Sequence, residues 1–239
     1  MKQLTRAAQT RACDYLYTCG RAIDQARYAM HFADGAPAAV LAALAPYQNA
    51  DGGFGHALEP DLRTTASSAI ATQHGLAILR EAGATAAEPL VQRAIAYLLE
   101  TLDRDLLRWE IVPPAVAEAP HAPWWTYGES AGSADGFQSN PRAALIGFLF
   151  EHQELAPAPL LDQLLAAQLA HLAEQVAGDG IEMHALACYI ALAESPNLPV
   201  SARQTLTATL LTAVQGTVVT DPAQFGSYGL LPLDVAPTP

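Results

Sequence analysis

The chain has 239 residues, with 24 acidic against 12 basic side chains, a net charge of −12 and Lys2 as its single lysine. Such a field repels phosphate backbones and anionic membrane surfaces, so a nucleic-acid partner is not expected. Apolar residues reach 51%, much of it in 49 alanines. No run approaches the ~20 apolar residues that cross a bilayer, so no membrane span is expected. The opening from Met1 to Arg6 starts no apolar signal region, and a cytoplasmic address follows. Cys13, Cys19 and Cys188 are odd in number and lack CxxC spacing, which reads as reduced thiols rather than a disulfide or metal set.

Apolar periodicity is helical almost throughout. It predicts helices over about 4–19, 21–32, 37–48, 64–82, 87–102, 140–154, 159–176 and 181–194, with a ninth over about 199–215. The clearest stripe runs through Leu90, Val91, Ala94, Ile95, Leu98, Leu99 and Leu102. Proline marks several starts, at Pro37, Pro141, Pro159 and Pro199, with Asn140 as a candidate N-cap. No alternating β-branched run is long enough to predict a strand. Short connections imply antiparallel hairpins. Two loops stand out, a glycine-rich turn at 48–55 and a stretch from about 103 to 139 rich in Pro, Trp and Tyr. Long ordered loops on a helical scaffold are where sites concentrate. The tail 220–239 loses periodicity and reads as an extended segment. No linker divides the chain, so residues 1–239 are expected to form one domain.

The strongest local pattern is Tyr47-Gln48-Asn49-Ala50-Asp51-Gly52-Gly53-Phe54-Gly55. Three glycines permit a tight path, Gln48 and Asp51 can tie loop amides to the next helix, and Phe54 can plug the seam between hairpins. The pattern resembles the Gln-Asp-Gly-Gly-aromatic-Gly repeats of the terpenoid cyclase and protein prenyltransferase superfamily. Further resemblance to uncharacterised bacterial members lies in Gln48 to Arg63, His121 to Trp125, Ser139-Asn140-Pro141 and Glu182 to Leu186. The resemblance implies an all-α fold, an α/α toroid, here an incomplete or open ring of about eight or nine helices. In that superfamily such repeats are structural. The known catalytic motifs do not carry over: Asp-x-Asp-Asp and Asp-Asp-x-x-Asp are absent, and no cysteine sits in the prenyltransferase zinc context. No metal and no cofactor are expected, since Walker, dinucleotide and Gly-x-Ser-x-Gly motifs are also missing.

Candidate chemistry therefore rests on other residues. Glu59 and Asp61 precede a predicted helix, where amides stabilise carboxylates. That suits a ligand-orienting carboxylate; the structural alternative is Asp61 as an N-cap and Glu59 as a solvated loop residue. Glu182 and His184, two apart at a helix start, are expected to point to different sides, with His184 as cavity-facing acid or base or as a core histidine. His56, His121, Trp124, Trp125 and Tyr127 are candidate substrate contacts, the aromatics as walls of an apolar or sugar-binding cavity and at least one tryptophan buried. His31, His74, His152 and His171 lie alone and read as surface or core residues.

Three functions compete. One is a terpenoid-cyclase-like enzyme that takes a hydrophobic isoprenoid in a central cavity, with Asp61, Glu59 or His184 supplying the proton. Another is carbohydrate chemistry on paired carboxylates, Glu59 with Glu182 or Asp61 with Glu129, and stacked tryptophans. The third is a non-catalytic toroid that binds a small ligand or a cationic partner. A cavity filled by side chains would favour the third, whereas the sequence predicts one rim pocket walled by His56, Glu59, Asp61, Trp124, Trp125 and His184.

Overall fold

The computed structural model describes residues 5–128, 138–178 and 180–236. Among them the chain is all-α. Its helices are α1 (Arg6–Cys19), α2 (Ala22–Phe32), α3 (Pro37–Leu44), α4 (Ala69–Glu81), α5 (Pro89–Thr101), α6 (Arg142–Glu151), α7 (Ala158–Ala177), α8 (Met183–Ala193), α9 (Val200–Thr217) and the short α10 (Pro232–Val235). Extended pairing is confined to isolated bridges.

Side-chain contacts fix the mutual direction of the even-numbered helices. Cys188 reaches Asn140 at the start of α6, while a Cβ on Gly147, further along α6, would meet the backbone of Ala191 and Leu192 near the end of α8. The two helices therefore run parallel. Ala69 and Arg142 share a small cleft at the starts of α4 and α6. At the other ends Arg80 bonds Glu151 at 2.6 Å and stacks 4.1 Å over Phe148. Likewise, α2 brings Arg27 and His31 from its second half to Glu81, the last residue of α4. Parallel neighbours require the chain to return between them, and α3, α5 and α7 make those returns. Helix α6 is the innermost, buried without a break from Ala143 to Phe150, as a helix apolar all round must be. One apolar core runs from Ile23 to Leu210.

The glycine turn joins three of these helices. Asp51 accepts from the Gly53 amide at 3.0 Å and from the Ser67 hydroxyl at 2.7 Å. The Gln48 amide donates to the carbonyls of Gly52 and Leu90, both at 2.9 Å, which ties the turn to α5. Gly52 sits at φ +90°, and a Cβ there would collide with the Arg93 carbonyl. Phe54, fully buried, lies flat on Gly75 of α4; a Cβ on Gly75 would come within 2.5 Å of its ring.

Several boundaries differ from expectation. Helix α4 begins at Ala69 rather than 64, because Thr65 and Ser67 are held by Asn49 and the Ser68 amide donates to Phe54, leaving the Ser68 hydroxyl as the cap. Helix α3 tightens into a 3₁₀ turn over Ala45–Tyr47. Asn140 is not the cap of α6; its side-chain oxygen faces Cys188 instead. The described part of the tail is not simply extended. It turns at Pro222–Gln224, bridges back from Leu230 to Val218, and ends in α10. The long loop is pinned by a separate apolar cluster of Leu62, Ile70, Ile111, Val112, Val116 and Trp125.

Candidate functional site

The expected rim divides into two places. In the first, residues 61–63 pair with 120–122 through Arg63 N to Pro120 O at 3.0 Å and Ala122 N to Asp61 O at 2.9 Å. This gathers Glu59, Asp61, His121, Trp124, Trp125 and Tyr127 around one loop junction. Trp125 is 6% exposed and belongs to the small apolar cluster, whereas Trp124 is 49% exposed. His121 bonds the Ala119 carbonyl, and the Glu110 carboxylate raises the pKa of the Tyr127 phenol. His56, exposed with a left-handed backbone at φ 55°, is held by Asn49 at 2.8 Å.

The two carboxylates here behave differently from either expectation. Asp61 is exposed and lies eight residues before α4, so it caps no helix. Glu59 is no solvated loop residue. Its side chain is 10% exposed and bonds His74 of α4 at 2.7 Å. Burial pushes its carboxyl up, but the His74 bond and charge, the Asp61 amide and the charge of Arg21 outweigh that and hold it below the ordinary range. Glu59 is thus kept ionised, which is the wrong state for a general acid. His74 had no sequence signal as its partner, because fifteen residues and a loop separate them.

Glu59, Glu81 and Asp24 all carry lowered carboxyl pKa values, and each is paired across or within the α2–α4 seam. A folded value below the unfolded one stabilises the native state above the unfolded pKa, and that stability is lost as pH falls through the folded value. The melting temperature is therefore expected to drop steeply below pH 4.5, the ordinary value for Glu59 and Glu81. Glu59→Gln should flatten that slope; an unchanged acid profile would remove Glu59 from the set.

The second place lies at the other end of the chain. The last turns of α7 and α9 and the link 180–182 enclose a groove of about 480 Å³, within the range of small-molecule sites. Its walls are Val176, Ile181, Met183 and Ala213, with Thr209, Thr212 and Thr217 adding hydroxyls. Thr217 donates to the Ile181 carbonyl at 3.3 Å, which fixes the link against α9. No lysine or arginine lines the groove among the described residues, and Glu182 is its one charged wall.

Glu182 and His184 do not diverge, contrary to the helical spacing rule. Glu182 is the N-cap of α8 with extended backbone, so its carboxylate folds over the first turn. One oxygen accepts from the amides of His184 and Ala185 at 2.8 and 3.2 Å. The other lies 2.6 Å from His184 Nδ1. This bond keeps a proton on Nδ1 and leaves Nε2 facing outward. The tail then sets the Tyr228 hydroxyl 3.3 Å from Nε2. No local sequence pattern marks Tyr228.

None of His56, Glu59, Asp61, Trp124, Trp125 or His184, the residues expected to wall one pocket, lines this groove. The paired-carboxylate geometries fare similarly: Glu59 faces His74, Glu182 faces His184, and Glu129 lies outside the described residues. No group of three or more metal-ligating side chains occurs among the described residues. No described helix is long and apolar enough to cross a membrane. No protein family, curated protein or solved structure matches this chain.

Proposed function

We propose that this chain is a terpenoid-cyclase-like helical-hairpin protein that binds a small, neutral hydrophobic ligand without the acid chemistry of the cyclases. The toroid reading is supported by the parallel run of α2, α4, α6 and α8, each separated from the next by a returning helix. The observation that carries the binding reading is the groove between α7, α8 and α9: ligand-sized, apolar with hydroxyls, and without cationic side chains among its described lining residues. A diphosphate there would meet the Glu182 carboxylate and no counter-charge among the described lining residues, so an isoprenoid alcohol suits the groove better than its diphosphate. Against a cyclase stand the exposed Asp61 and the ionised Glu59.

Calorimetric titration tests the reading. Farnesol should bind with a Kd of order 1–100 μM, and farnesyl diphosphate about tenfold or more weakly. Ala213→Trp, which fills the groove from α9, should abolish farnesol binding. Equal affinity for the diphosphate, or unchanged binding by the filled variant, would overturn the assignment. A cyclised product in the organic extract would restore the catalytic reading.

A further inference from the structure

We infer that the α7–α9 groove selects ligands whose polar head donates a hydrogen bond, a primary alcohol or amide on an apolar tail, over ethers and esters of similar shape. The inference rests on that groove being the ligand site. It comes from following the protons of the polar side chains in the wall. Thr217 donates its hydroxyl proton to the Ile181 carbonyl at 3.3 Å, and Thr209 donates its own to the Thr205 carbonyl at 3.0 Å. Both hydroxyls therefore offer a ligand lone pairs, and turning either proton toward it would break a bond the fold already makes. The Glu182 carboxylate is likewise an acceptor, taking the amides of His184 and Ala185 at 2.8 and 3.2 Å. Thr212 is exposed and shares its hydroxyl with water. An ether or ester head would meet acceptors with an acceptor, whereas an alcohol supplies the missing proton.

The same bonds give the ligand a direction. Thr209 and Thr217 stand eight residues apart on α9, about 12 Å along its axis. The bond from Thr217 to Ile181 holds the link, and with it Glu182, at the Thr217 end, so two acceptors meet there. Gly216 leaves the space beside them open, since a Cβ on it would meet nothing within 4 Å. The head group belongs at this end, and Val176, Met183 and Ala213 line the path of the tail. Glu182 already faces two amides at the start of α8, where the helix dipole is positive, so its charge is compensated. It offers lone pairs rather than an unpaired charge, and a neutral donor suits it better than an ammonium ion that must shed its water among apolar walls.

Calorimetric titration of the full chain with farnesol, farnesyl methyl ether and farnesylamine tests the inference. The ether should bind about tenfold or more weakly than farnesol, the scale of one hydrogen bond left unmade. Glu182→Gln keeps an oxygen to cap α8 and places a donating amide in the wall, so the two affinities should come within about threefold of each other. Thr217→Val removes an acceptor and should narrow the same ratio. Reading a ratio cancels any general loss of folded protein, and circular dichroism on each variant checks that the helices persist. Gly216→Leu projects a side chain into the open space and should block both ligands. Equal binding of ether and farnesol to the wild type would overturn the inference. A ratio unchanged in both Glu182→Gln and Thr217→Val would do the same, as would farnesylamine binding more than tenfold tighter than farnesol, which would make the ligand a cation. Equal binding of ether and farnesol that Ala213→Trp abolishes removes donor selection and leaves the groove assignment standing, whereas no binding of any of the three removes the groove assignment itself.

Discussion

Phe54→Ala should lower the unfolding free energy by about 3–5 kcal/mol in urea denaturation, among the largest losses available to a single side chain. Phe54 is fully buried, and its ring lies against Gly75 because only a residue without Cβ lets it approach α4. The backbone on either side is equally committed: its amide donates to Thr72 at 3.0 Å and its carbonyl accepts from Ser68 at 3.1 Å. These bonds hold the turn in place after truncation, so the surroundings cannot collapse into the space and the cavity cost is added to the lost transfer energy. Gly75→Ala tests the same contact from the other side. Its Cβ would press within 2.5 Å of the ring, and a loss of about 1–3 kcal/mol follows from overpacking. A loss under about 1 kcal/mol for Phe54→Ala would mean the turn closes up without its plug.

The same turn shows how much of the structure can be read from residues alone. Gln48, Asp51, Gly52 and Phe54 lie within a few positions of one another, so their chemistry and spacing mark the turn even though their partners Leu90, Ser67, Arg93 and Gly75 are remote in sequence. Helix existence was legible for a similar reason, since a stripe such as Leu90 to Leu102 repeats every turn. The start of α4 was not legible, because Thr64 to Ser68 are drawn out of the helix by Asn49 and Phe54, which are near in space only once the fold exists. The site failed at the same step. Glu59 looked like a loop residue until α4 set His74 beside it. The two-apart rule for Glu182 and His184 holds inside a helix, but a capping residue sits outside, where its backbone is extended and its side chain doubles back. Tyr228 and the groove depend on where the tail and α9 pack, which no local pattern encodes.

Arg142→Ala should destabilise the chain by about 3 kcal/mol or more, well beyond the loss of one surface charge. Arg142 Nε donates to the Gln138 carbonyl at 2.7 Å and to the Gln168 side-chain oxygen at 2.8 Å, and Nη1 reaches the Leu107 carbonyl at 3.4 Å. Burial pulls its guanidinium pKa down from the ordinary value, and the bonded acceptors offset the cost of holding a charge there. Gln168 is fully buried on α7, and its amide continues the chain to the Tyr189 hydroxyl of α8 at 2.7 Å. That hydroxyl also meets Ser139 at 3.0 Å and Gln175 at 3.2 Å. Removing Arg142 leaves several acceptors without a donor where water has poor access, at about 1–3 kcal/mol for each that stays unsatisfied. Arg142→Lys keeps the charge but not the planar fork, so its loss should be intermediate. Tyr189→Phe should cost about 1–3 kcal/mol by the same rule. Because Gln168 bonds both residues, the two losses should not add. A double-mutant cycle in urea is expected to give a coupling of about 0.5–3 kcal/mol. Strict additivity would show that α6 and α8 are joined by apolar contact alone, with Gln168 reorienting freely once either partner is gone.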